Sequence, residues 1–335
     1  MTTRQGERGM DINRLPDMLS KASVFIIIAI LIVIGLFINK SFFTINNFRN
    51  IIQACAFLGI LCSGMGFITF SGKMVDMSAP ITIAISGIVA VDTLQLGLPA
   101  ALALGMAAAI GIGLLNGFVI GKFEANPIIW TLSVNFLLDG GIRWLYSNRQ
   151  IYPDAVPEAS LTTAEQFINI SRTSVLGIPL PVIFMVVMII VAQLLLTKSS
   201  FGVQLKVIGS NADVARFSGI NVTSGVMRAY IISSVAAGIT GIFITSFGKV
   251  GAYYNGVGYE FKAATAIVLG GMTLAGGRGN MIGVLGGVFT ISLLSNILTF
   301  LGIGTFVQNI ITGAIFILIV YFNTRSLSKL GKDNA

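Results

Sequence analysis

Apolar and polar positions run in long blocks along this chain, not in the short alternation of a water-exposed fold. Seven apolar stretches, residues 22–39, 51–72, 97–121, 179–197, 226–248, 281–300 and 304–323, reach about the 20 residues a helix needs to cross the hydrocarbon core. Three weaker ones, residues 77–92, 127–146 and 260–276, are shorter or carry polar groups, as expected of helices that are broken or line a cavity. The pattern predicts an all-α polytopic membrane protein of about ten segments. It divides into a tail (1–21), a single transmembrane domain (22–323) and a second tail (324–335). No small-residue cleavage site follows the first span, so it reads as an uncleaved helix.

Composition supports that reading. Of 335 residues, 55% are hydrophobic and 10% charged, against roughly 25% charged in a soluble domain. There is no histidine, which excludes imidazole bases and histidine-ligated metals. Cys55 and Cys62, seven positions apart on one apolar stretch, would lie roughly 10 Å apart along a helix, too far for a disulfide. The net charge of +8 is spread over the segments between spans, so it marks topology and not a nucleic-acid surface. With ten spans and both termini inside, 14 of the 21 basic residues fall inside and 7 outside, the expected bias. No Gly-Lys pair is followed by Ser or Thr as a phosphate-binding loop requires, so no ATP site is expected.

Glycines recur every fourth residue at Gly113, Gly117 and Gly121, and again at Gly279, Gly283 and Gly287. Each row allows close helix packing. The rows lie 166 residues apart on helices of opposite predicted direction, a relation produced by inverted repeats. Polar groups inside spans are costly and mark function. Asp76, Ser78, Asn135, Glu260 and Asn296 are the candidates for a translocation path, with Asn116, Asp139, Gln308 and Asn309 as further polar positions. Capping or helix-to-helix bonding is the plainer role for Asp76 and Glu260 at span ends, and Asp139 can pair locally with Arg143. Trp130 and Trp144 are expected to anchor or pack helices. An intramembrane carboxylate also leaves open an ion- or proton-coupled carrier.

The segment Val207-Ile208-Gly209-Ser210-Asn211-Ala212-Asp213-Val214-Ala215-Arg216-Phe217-Ser218-Gly219-Ile220 resembles the long cytoplasmic loop of the ribose-type permeases of bacterial ABC sugar importers. Two further blocks match that family in order and spacing. One comprises Gly258-Tyr259-Glu260-Phe261, Val268-Leu269-Gly270-Gly271 and Gly276-Gly277-Arg278-Gly279; the other runs from Lys122-Phe123 through Asn126-Pro127-Ile128-Ile129-Trp130-Thr131-Leu132. The chain departs from the family pattern at Ser71-Gly72-Lys73-Met74-Val75-Asp76-Met77-Ser78-Ala79-Pro80, where a lysine enters and a glycine becomes proline, and at Ser210 and Val214.

The resemblance implies a membrane subunit, without catalytic activity or cofactor, of an importer for a sugar or sugar-like neutral solute. Its implied setting is the bilayer of a bacterial inner membrane. Its implied partners are a cytoplasmic ATP-binding subunit, a periplasmic sugar-binding protein and a second permease subunit. Gly209, Asn211, Asp213, Ala215, Arg216 and Gly219 are then the residues of the ATPase-coupling loop. Within it, Asn211 can cap a short helix over 213–217 whose small apolar side, Ala212, Val214 and Ala215, would enter a partner's groove.

Overall fold

The computed structural model describes residues 15–38, 40–156 and 161–332; most of the two proposed tails' outermost residues, 1–14 and 333–335, lie outside them. Among the described residues the regular structure is helical apart from one two-stranded hairpin and an isolated bridge between Ile151 and Gly251, as the apolar blocks predict. Its long helices are α1 (Leu15–Ile38), α2 (Ile45–Phe70), α4 (Leu98–Lys122), α5 (Pro127–Leu145), α7 (Leu180–Lys198), α10 (Val222–Gly248), α12 (Met281–Phe300) and α13 (Thr305–Lys332). Between them lie the short helices α3 (Ala79–Asp92), α6 (Leu161–Asn169), α8 (Ser200–Ser210), α9 (Ala212–Phe217) and α11 (Tyr259–Leu269), and the strands β1 (Ser174–Val175) and β2 (Ile178–Pro179). Five helices, α2, α4, α7, α10 and α12, are long and apolar enough to cross a membrane, and shorter apolar helices accompany them.

Local chemistry places the helix starts. Thr44, Asn126, Ser199, Asn211, Asn221 and Asn280 each cap the helix that follows with a side-chain oxygen, satisfying amides that have no partner in the first turn. Pro80 and Pro99 sit in the first turns of α3 and α4, where a missing N–H costs nothing.

α2 is the centre of the bundle. Of its most apolar stretch 83% is buried, against 28% in α4 and in α7, so those two present most of their apolar surface outward. α10 packs along α2, α3 and α4, while α12 packs on α1, α2 and α11. The order of long, short and long helix occurs twice, as α2–α3–α4 and α10–α11–α12, and in both the short helix lies on the long one after it. The two glycine rows do not share a partner, however. Gly113, Gly117 and Gly121 abut α10 at Ser234, Met227 and Thr223, whereas Gly283 and Gly287 abut α11 at Gly270 and Ala266. Gly279 precedes α12 with φ +126°.

Several boundaries differ from expectation. α2 starts at Ile45 and α1 at Leu15, both earlier than the apolar runs, and α13 continues to Lys332. α11 has 11 residues, a rise of about 16 Å, roughly half the hydrocarbon thickness. The segment 198–225 carries α8 as well as the expected short helix. The segment 147–177, with little apolar periodicity, is nonetheless held down: Phe167 of α6 is fully buried. Ser171 also donates its hydroxyl to Phe243 O at 2.6 Å.

Candidate functional site

At one end of the bundle α8 and α9 form a projecting elbow. Asn211 Oδ1 accepts from Asp213 N at 2.9 Å and from Val214 N at 3.1 Å, the cap expected from sequence. α9 is closed by Gly219 at φ +77°. Gly219 N bonds Arg216 O, and Ile220 N bonds Ala215 O, each at 2.9 Å. This pair of bonds requires a left-handed residue that glycine supplies most cheaply. Ala215 is fully buried, while Val214 and Phe217 are 52% and 92% exposed. The expectation that Ala215 faces outward with Val214 is therefore corrected. Ala215 turns in toward the body, and the apolar tip is Val214 with Phe217. Beside that tip Arg216 pairs with Asp213 at 3.3 Å and with Glu124 of the α4–α5 turn.

The elbow is tied to the bundle through backbone. Gly277 N donates to Phe70 O at 2.8 Å. A Cβ on Gly209 would fall 2.7 Å from Gly277 N and closer still to Phe70 O; one on Gly276 would lie 2.5 Å from Gly72 N. Thus the end of α2, the end of α8 and the α11–α12 loop meet largely backbone to backbone, with the Ser210 hydroxyl beside Gly277. Gly72, Gly276 and Gly277 also have positive φ, so this junction needs glycine for conformation as well as space.

Asp76 and Ser78 lie just before α3 and are buried. They do not line an open path. Ser78 donates to Asp76 Oδ1 from Oγ at 2.6 Å and from N at 2.9 Å. Asn116 Nδ2 of α4 donates to Ser78 Oγ at 2.8 Å, and Trp130 Nε1 of α5 donates to Asn116 Oδ1 at 3.0 Å. The result is a directed chain, Trp130 to Asn116 to Ser78 to Asp76, joining the segment before α3 to α4 and α5. Thr131 Oγ1 accepts from Met77 N at 3.0 Å and makes a second tie between the same segments. Trp130 thus packs helices, as expected, through its indole N–H.

Asn296 lies at the other end of the bundle. It forms a reciprocal amide pair with Asn47: Asn47 Nδ2 to Asn296 Oδ1 at 3.1 Å, and Asn296 Nδ2 to Asn47 Oδ1 at 2.8 Å. The pair borders a cavity of about 430 Å³ between the start of α2 and the end of α12, lined also by Asn50, Ala54, Ser292, Ser295, Thr299 and Phe300. Sequence reading found Asn296 but missed the rest. The signal was present as helical spacing: 47, 50, 54 on α2 and 292, 295, 296, 299 on α12 each mark one face.

The remaining polar candidates scatter. Glu260 lies in the first turn of α11, and its Oε2 is buried without a partner. Asn135 Oδ1 on α5 and Asn309 Oδ1 on α13 are likewise buried and unpartnered. Gln308 Nε2 donates to Thr299 Oγ1 and Ile303 O. Asp139 pairs with Arg143 at 2.7 Å, whose guanidinium stacks 3.8 Å over the Tyr253 ring. Cys55 and Cys62 are free, buried thiols. Among the described residues no group of three or more cysteine or carboxylate side chains converges to hold a metal ion.

Residues 47–320 match the family described as branched-chain amino acid transport system / permease component. The chain belongs to this permease family. The permease is also similar to the ribose import permease protein RbsC of Bacillus subtilis, 32% identical over 309 residues, covering 92% of this chain and 94% of that protein. The ribose import permease of Escherichia coli K12 is 30% identical over 303 residues, 89% of this chain and 92% of its own. The L-arabinose transport system permease protein AraH of the same strain is 30% identical over 302 residues, 90% and 89%. No solved structure matches the permease. The resemblance read from its motif blocks is thus a family membership, and its relatives are permease components of sugar importers.

Proposed function

We propose that this permease is the membrane-spanning subunit of an ATP-driven importer that brings a neutral sugar or sugar-like solute into the bacterial cytoplasm. It works with a cytoplasmic ATPase, a periplasmic binding protein and a second permease subunit, as a homodimer or with a related chain. Ten spans with both termini cytoplasmic, arranged as an inverted repeat, put the α8–α9 elbow on the ATPase side and the α2–α12 cavity on the other. The observation that carries this reading is the elbow: an exposed apolar tip, Val214 and Phe217, seated on a glycine junction that reaches α2 and the α11–α12 loop. A partner that grips the tip can move both. The relatives bear the names of ribose and arabinose permeases and the family that of amino acid permeases; the cavity lining supports a neutral solute. It holds no ionisable side chain, and a zwitterion would lack counter-charges there.

The test is uptake and ATP hydrolysis in vesicles that hold permease, ATPase and binding protein. Phe217→Glu and Arg216→Glu should each lower uptake at least tenfold and remove solute-stimulated hydrolysis, with membrane insertion intact because the other inside charges set orientation. Normal uptake by both variants would dismiss the elbow as the coupling element. The second reading, a proton-coupled carrier, rests on the unpartnered Glu260 Oε2. It requires uptake that stops with an uncoupler and in Glu260→Gln, whereas the importer runs on ATP in the uncoupler's presence.

A further inference from the structure

We infer that the cavity between α2 and α12 is a solute-binding subsite of the permease itself, suited to a neutral polyhydroxylated molecule of monosaccharide size. The inference rests on the importer reading and adds a site to it. The cavity, about 430 Å³, falls within the roughly 300–1,000 Å³ of small-molecule sites. Six of its eight lining residues carry an amide or a hydroxyl and two, Ala54 and Phe300, do not, and most of the surface they turn to the cavity is hydrocarbon. Each amide and hydroxyl both donates and accepts, as a sugar hydroxyl does, and an aromatic ring suits the C–H face of a sugar.

Order is built into one wall. The Asn47–Asn296 pair satisfies both amides against each other, and Asn47 Nδ2 also donates to Phe42 O at 2.9 Å. These two side chains are therefore held in place before any solute arrives, which lowers the ordering cost of binding. Asn50 and Ala54 are exposed on the cavity's α2 side, while the Thr299 hydroxyl is held by Gln308 Nε2 and Ser295 O. The polarity is one-sided. Around the same helix pair lies a second groove, of about 480 Å³, lined by Ile28, Ile32, Phe42, Phe48, Phe289 and Leu293 among others. That groove suits lipid. The exposed Asn50 amide, beside the self-satisfied Asn47–Asn296 pair, suits water or solute better than lipid.

The site can be probed through Ala54→Cys, because the native thiols, Cys55 and Cys62, are fully buried and the unsubstituted chain supplies the background. In the assembled importer in nanodiscs, a membrane-impermeant maleimide should alkylate the new thiol. D-ribose, L-arabinose, D-glucose and D-galactose are offered in turn, with D-glucose 6-phosphate as the charged comparison. At least one neutral sugar should slow alkylation fivefold or more, the phosphate should not, and adding Asn296→Leu should abolish the protection. Asn50→Leu, tested without the cysteine, should raise the half-saturating solute concentration for uptake at least fivefold. Equal alkylation rates with every sugar, in an importer that takes up sugar on ATP, would overturn the subsite and leave the importer reading standing. A thiol that is unreactive in the assembly because a second copy covers it would also overturn it. Absence of ATP-dependent uptake in the unsubstituted importer would instead strike the importer reading.

Discussion

The two ends of α2 solve opposite problems. At its last residue three segments meet largely through backbone, and Gly72, Gly209, Gly276 and Gly277 leave no room for a side chain of their own. At its first turns the helix stands away from α12, and most residues around the gap of about 430 Å³ carry an amide or a hydroxyl. One end transmits position because nothing soft lies between the parts. The other accommodates, because its polar groups are only partly committed to each other. A chain read only by hydropathy shows neither, since both lie within or beside the same apolar run. Burial separates them again at Asp76, a polar site with every link of its chain already made.

Substitutions should separate these regions by the size of their effect. The largest belongs to the junction. Gly209→Leu must drive Phe70 and Gly277 apart, and with backbone on both sides no rotamer relieves it. A loss of about 3 kcal/mol or more is expected, seen as lost yield of monodisperse protein and a collapsed thermal midpoint. A near-normal midpoint would show that the three segments are not rigidly joined. The buried chain comes next. Asn116→Leu leaves Ser78 and the Trp130 N–H short of a partner and should cost about 1–3 kcal/mol. Trp130→Phe should add little once Asn116 is gone. Fully additive losses in that double-mutant cycle would refute the directed chain. The smallest effect is expected at Gly141, in the interior of α5 with nothing within 4 Å of an added Cβ. Gly141→Ala should stabilise by up to about 1 kcal/mol through helix propensity; a clear loss would reveal a partner surface packed on that face.

Much of the architecture was legible because a membrane span carries its own signal. The apolar runs gave the long helices, Asn211 announced α9, and the spacing of Asp139 and Arg143 gave their ion pair. What was hidden depended on residues far apart in sequence. Residues 45–50 looked too polar for a span, yet they open α2, because Asn47 finds its partner 249 positions away in Asn296. Overlooking that pair meant overlooking the cavity. Asp76 was recognised as costly inside a membrane, but whether it faced solute or protein rested on Asn116, 38 positions beyond Ser78. Ala215 was grouped with Val214 on one small apolar face, but the fold turns Ala215 inward and leaves Val214 exposed, a division set by what lies beneath α9.

No proline interrupts α2 between Ile45 and Phe70, so it can act as a single stiff arm. Ala54 and Phe70 are separated by about 24 Å along its axis. If that arm pivots at the glycine junction, a tilt of about 10° displaces the cavity wall by roughly 4 Å over that length. That is more than the reach of a hydrogen bond. A rotation too slight to disturb the packing at the fulcrum is enough to part Asn47 from Asn296 at the far tip.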